Sequence, residues 1–155
     1  MPISVMLKPA SSNCNLACEY CFYHSLSSKR TDFSKGFMSD DTAKRVVDSA
    51  LEFADSTDVY FTFQGGEPLL CSLDFYKNFV SYVKKSNKKG SNVHYCLQTN
   101  STLINDEFAL FFKENGFLIG VSLDGDKEVN KYRIYPNGKS SFDDILKGCL
   151  LYTSD

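Results

Sequence analysis

The chain has 155 residues with 17 Lys+Arg against 19 Asp+Glu, a formal net charge of -2, which creates no global field for nucleic acid. Its 43% hydrophobic content, with 14% aromatic residues that are all Phe and Tyr, buries enough apolar surface to exclude disorder and to make one domain the starting count. No apolar run approaches the roughly 18 residues that span a bilayer, and Met1-Pro2-Ile3-Ser4 has no signal-like character, so a cytoplasmic protein without a membrane partner is expected.

In chain order, a first strand is expected over about Ser4 to Leu7, followed by a Ser/Asn/Cys-rich loop and an irregular stretch from His24 to Met38. A first helix then starts at the Ser39 cap, with Asp40 and Asp41 at the positive end of its dipole and Val46, Val47, Ala50, Leu51 and Ala54 on one face. It ends by about Asp55. A second strand, Val59 to Gln64, is stopped by Gly65-Gly66-Glu67-Pro68, and a second helix, about Asp74 to Ser86, buries Phe75, Tyr76, Phe79, Val80 and Val83. Its end carries Lys84-Lys85 and Lys88-Lys89, a solvated basic spot. A third strand, about Val93 to Gln98, leads through Thr99-Asn100 to a helix near Asp106 to Asn115 that Gly116 terminates. A fourth strand, about Phe117 to Leu123, and a polar loop precede a last helix whose apolar stripe is Phe142, Ile145, Leu146, Cys149 and Leu150.

Four strand-then-helix units imply an α/β fold with a parallel sheet. In such folds chemistry gathers at the C-terminal ends of the strands. Polar candidates cluster there: the cysteine loop after strand one, Gln64 to Glu67 after two, Gln98-Thr99-Asn100 after three, and Ser122 with Asp124 after four.

Six cysteines without an export signal point to metal binding rather than to disulfides. Cys71, Cys96 and Cys149 stand alone in apolar surroundings and read as small buried hydrophobes. Cys14, Cys18 and Cys21 form a C-x3-C-x2-C set, whose three thiolates suit a 4Fe-4S cluster with one iron left free for a ligand. The alternative is zinc in a closed Cys3His site completed by His24. Gly65 and Gly66 permit close backbone approach to a ligand.

The C-x3-C-x2-C set together with Gly65-Gly66-Glu67-Pro68 resembles the radical S-adenosylmethionine (SAM) superfamily. The segments Lys8 to Leu16, Cys21 to Leu26, Phe63 to Pro68, Gln98 to Asn100 and Ser122 to Gly125 resemble anaerobic sulfatase-maturating enzymes, over essentially the whole chain. The resemblance implies that Cys14, Cys18 and Cys21 hold a 4Fe-4S cluster whose remaining iron binds SAM. It further implies reductive cleavage of SAM to a 5′-deoxyadenosyl radical, which oxidises a Cys or Ser of a sulfatase polypeptide to Cα-formylglycine. A reductant such as flavodoxin or ferredoxin would feed the cluster.

By the same resemblance, Tyr20 contacts the adenine, Gly65 and Gly66 line the SAM site, and Glu67 balances the SAM ammonium. Ser122 meets the ribose or carboxylate, Arg133 pairs with the carboxylate, and Tyr23, Gln64 and Gln98 face the substrate. The segment before Arg133, with Gly125-Asp126 and Val129-Asn130-Lys131, departs from the family's pattern. The implied architecture is a partial (βα) barrel with about four of six expected units. On this reading residues 1–155 are the N-terminal portion of the radical SAM core, with the catalytic Asp and an auxiliary-cluster domain beyond them. Two alternatives are another peptide-modifying radical SAM enzyme, for example a thioether-forming one, and a catalytically incomplete cluster- or metal-binding fragment.

Overall fold

The computed structural model describes residues 1–153, apart from the side chain of His24. Four parallel strands, β1 (Ile3–Leu7), β2 (Val59–Phe63), β3 (Val93–Thr99) and β4 (Phe117–Val121), form one sheet in the order β1-β2-β3-β4. Among the described residues five α-helices accompany them: α1 (Phe22–Ser27), α2 (Asp40–Ala54), α3 (Leu73–Ser86), α4 (Asp106–Glu114) and α5 (Phe142–Thr153). Each strand lies beside its predecessor in sequence, so the order never reverses. That is the progression of a (βα) barrel wall, whereas a doubly wound sheet has a switch point.

The two sheet faces differ sharply. Val59, Phe61, Phe63, Tyr95, Leu97 and Phe117 are buried together with the inward faces of α2, α3 and α4. Phe63 sits among the rings of Tyr76 at 5.3 Å, Phe79 at 5.0 Å and Phe117 at 6.2 Å. On the opposite face, alternate residues of the same strands are open, and the register places Met6, Thr62, Cys96 and Leu118 in one row across all four strands. Leu118 is 71% exposed and Met6 58%. This is the side that a barrel turns inward.

Most elements follow local sequence logic. The Ser39 side chain accepts from the Thr42 N–H and caps α2, which ends at Asp55 in the left-handed region. The predicted buried face of α3 is the observed one, residue for residue. Two elements differ from expectation. The stretch after His24 is not wholly irregular, because α1 grows directly out of the cysteine loop, with Ser25 N–H donating to Cys21 O at 3.1 Å. In α5 the expected stripe is only partly inside: Ile145 is buried, Phe142 and Cys149 are half-buried, and Leu146 and Leu150 are exposed, while Gly148, outside the stripe, is buried. A Cβ at Gly148 would stand 2.0 Å from the Ser101 carbonyl oxygen, so this glycine lets α5 press against the loop after β3. Ser101 Oγ donates to Ile145 O at 2.8 Å and secures the contact. No described helix is long and apolar enough to cross a membrane.

Candidate functional site

The four loops at the C-terminal edge of the sheet meet, and the cysteine loop is their common partner. Its first half is clamped to the loop after β2, where Glu67 N–H donates to Asn13 O at 2.7 Å. Its second half pairs with the segment after β4, through Ala17 N–H to Ile134 O at 2.7 Å and Glu19 N–H to Tyr132 O at 3.1 Å. Both Gly65 and Gly66 have positive φ. A Cβ at Gly66 would lie 2.2 Å from Asn13 O, so the space this glycine leaves is filled by the cysteine loop itself. The close approach seen at Gly66 is to protein backbone.

Glu67 is 1% exposed. Its Oε1 accepts from Leu69 N–H at 2.9 Å and Thr99 Oγ1 at 2.6 Å, and its Oε2 from Asn100 N–H at 2.8 Å. Burial pushes the carboxyl above its ordinary range, against the pull of those three donors. The side chain is a strut joining the ends of β2 and β3.

None of the six cysteines is in a disulfide. Cys14 keeps one side open while packed protein crowds the other, and that crowding pushes its thiol up to about 11. Its sulfur accepts from Leu16 N–H at 3.4 Å and from Asn100 Nδ2 at 3.8 Å. Burial likewise raises the Cys18 thiol, opposed by the neighbouring Arg133 guanidinium. Negative sulfur is thus costly until a cation joins it, and donors already wait around it; this donor set fits an iron-sulfur cluster. Among the described residues no three Cys, His, Asp or Glu side chains converge on one ion position.

Beside Cys18, Arg133 and Asp124 form a bidentate pair, with Nε to Oδ2 and Nη2 to Oδ1 both at 2.9 Å. Tyr20 donates its hydroxyl to the same carboxylate, and the guanidinium lies 5.3 Å from the centre of the Tyr20 ring. Asp124, one of the polar residues expected at the strand ends, organises two candidate ligand contacts. The Arg133 hydrogen bonds hold its carboxyl below the usual aspartate range. Toward the open sheet face, Gln98 Nε2 donates to Ser122 Oγ at 3.0 Å, and Gln64 Nε2 approaches Met6 Sδ. Gly120 stands opposite Gln98 in the register, and a Cβ there would lie 2.3 Å from Gln98 Oε1. Tyr23 packs against Lys8, whose Nζ is 4.5 Å from the ring centre, beside a cavity of about 370 Å³ lined also by Arg30, Lys35 and Met38.

The family model for the radical SAM superfamily matches residues 9–154. The chain belongs to this superfamily. Members use a 4Fe-4S cluster and SAM, which agrees with the thiol chemistry of the cysteine loop. The chain is 48% identical over 145 residues to a cysteine-type anaerobic sulfatase-maturating enzyme of Clostridium novyi (strain NT), covering 93% of this chain and 38% of that protein. It is 40% identical over 148 residues to a serine-type enzyme of Bacteroides thetaiotaomicron, covering 95% of this chain and 36% of the relative. Among solved structures, native anSMEcpe with bound AdoMet superimposes with a TM-score of 0.90 at 41% identity, over 96% of this chain and 41% of that one. The radical SAM chain thus spans well under half the length of the relatives it matches.

Two outcomes follow from these contacts. Glu67→Gln turns an amide N–H2 toward a buried N–H donor, and is expected to cost about 1–3 kcal/mol in anaerobic urea unfolding; unchanged stability would contradict the strut. For Asp124, pairing lowers the folded-state pKa, so its stabilisation is full above the ordinary value of about 4 and is lost as pH falls through the depressed one. The stability gap between wild type and Asp124→Asn should therefore be widest near neutral pH and close in acid.

Proposed function

We propose that Cys14, Cys18 and Cys21 hold a 4Fe-4S cluster with SAM on its remaining iron, and that residues 1–155 form the N-terminal, cluster-bearing part of an enzyme that converts a Cys or Ser of a sulfatase polypeptide to Cα-formylglycine. The observation that carries the cluster assignment is the loop itself. Three cysteines outside any disulfide lie within eight residues on a loop clamped between the loops after β2 and β4, and the Cys14 sulfur already accepts from Leu16 N–H and Asn100 Nδ2. When bound, the cluster and SAM would supply the electron and the hydrogen-abstracting radical.

The chain's own residues would bind, orient and shield. Arg133, held by Asp124 next to Cys18, offers a fixed cation to the SAM carboxylate, a task its planar guanidinium suits. Tyr20 is half exposed and anchored through its hydroxyl, so its ring is presented at a defined angle for the adenine. The hydroxyl of Ser122 accepts from Gln98, which leaves its own proton for the ribose or carboxylate. Gly65 and Gly66 bring backbone groups to the ligand's side of the turn, and they rather than Glu67 would meet the ammonium. Gln64, Gln98 and Tyr23 are the substrate-side polar groups. The apolar row of Met6 and Leu118 beneath them would exclude water from a radical once covered.

The choice of a sulfatase polypeptide is supported by similarity to maturases of both the cysteine and serine types, and by the solved anSMEcpe structure with bound AdoMet and Cp18Cys peptide, whose TM-score is 0.89 at 38% identity. A low-potential donor such as flavodoxin or ferredoxin is the proposed redox partner.

After anaerobic reconstitution with iron and sulfide, Cys14→Ala, Cys18→Ala and Cys21→Ala should each lose the visible charge-transfer absorption, whereas Cys71→Ala should keep it. A protein extended to the length of the matched relatives should release 5′-deoxyadenosine and oxidise a sulfatase peptide, read by mass spectrometry. An internally crosslinked peptide instead would indicate a thioether-forming enzyme.

A further inference from the structure

Leu16 N–H is not the sole donor to the Cys14 sulfur; a side chain from another loop also reaches it. Asn100 Nδ2 is 3.8 Å from Cys14 Sγ and 2.9 Å from Asn15 Oδ1. Its Oδ1 accepts from Thr102 N–H at 3.1 Å and from Thr102 Oγ1 at 2.8 Å, and Thr102 Oγ1 in turn accepts from Asn15 Nδ2 at 2.8 Å. This closed ring fixes which end of the amide faces sulfur. A flipped amide would set its oxygen against Asn15 Oδ1 and its N–H2 against two donors. The backbone of Asn100 is pinned as well, because its N–H donates to Glu67 Oε2.

We propose that Asn100 is a positioning residue for Cys14 that sets the reduction potential of the cluster this sulfur holds, by donating Nδ2–H to it. The inference rests on the cluster assignment made above. One electron, supplied by an external reductant such as dithionite, adds negative charge that spreads onto the ligating sulfurs, and no bond forms or breaks. A donor aimed at sulfur stabilises the reduced state more than the oxidised one and so raises the potential. Burial strengthens the effect, since Asn100 is 6% exposed. The ring with Asn15 and Thr102 keeps the donor in place through both states.

The test is the midpoint potential of the anaerobically reconstituted chain, measured by spectroelectrochemistry alongside iron and sulfide content and the unfolding midpoint. Asn100→Ala should load a cluster whose potential is more negative than the wild type's. Thr102→Val removes the ring's hydroxyl, but the backbone N–H at position 102 and Asn15 Oδ1 still orient the amide, so it should lower stability while keeping the potential. An unchanged potential in Asn100→Ala would overturn the inference, as would an equal shift in Thr102→Val, which would mark a merely structural role. If Asn100→Ala takes up no cluster, pulsed EPR of the reduced wild type carrying isotopically labelled asparagine decides. Hyperfine coupling to the asparagine nitrogen supports the contact, and its absence overturns it. If the wild type itself binds no cluster, this inference falls together with the cluster assignment; if it binds one and the potential ignores Asn100, only this inference falls.

Discussion

A buried carboxylate fixes the geometry on which the site depends. Glu67 takes three hydrogen bonds, from the turn after β2 and from the end of β3, while its own N–H holds Asn13 of the cysteine loop. Carboxylates are seldom buried without paired partners, because desolvation outweighs weak compensation. Here two backbone donors and a hydroxyl provide that compensation, and the result is a rigid joint between three loops. Asn100, the residue whose backbone it grips, extends the joint to Asn15 and to the Cys14 sulfur. Tyr76, buried in α3, bonds Pro68 O at 2.8 Å and ties the joint to the aromatic core below. Rigidity at the strand ends therefore descends from the packing of the sheet, through a turn, to the cysteines.

A second joint works from the opposite side. Asp124 gathers Arg133 and Tyr20, and the segment Tyr132–Ile134 pairs with the backbone between Cys14 and Glu19. The cysteine loop has little regular structure of its own until α1 begins, and its shape is imposed by these two flanking joints. That arrangement accounts for a loop able to present three thiols without a helix or hairpin to carry them. It also leaves the sheet's open face, with Met6, Thr62, Cys96 and Leu118 in register, free of the loop's own side-chain anchors.

Much of this was legible in the sequence because periodicity and composition report burial. The face of α3, the cap of α2 and the parallel sheet follow from the spacing of apolar residues, the alternation of strands with helices, and Ser39. The face of α5 was not, because the residue that selects it is Gly148, which carries no hydrophobic signal, while Leu146 and Leu150 point the periodicity outward. In the site, cysteine spacing announced the loop. The Glu67 and Asn100 joint stayed hidden, since a Glu before Pro and an Asn after a strand look like ordinary turn chemistry, and long-range hydrogen bonds leave no local trace. The closeness of Gly66 was foreseeable from residue type; that Asn13 O fills the space was not.

Cys14, Cys18 and Cys21 are proposed to hold a cluster with one iron reserved for SAM. Mössbauer spectroscopy of the chain reconstituted with enriched iron, recorded with and without SAM, tests it most directly. A 4Fe-4S spectrum in which one iron site shifts on adding SAM is the predicted result. A mononuclear metal centre, or a cluster whose iron sites are all indifferent to SAM, would contradict it.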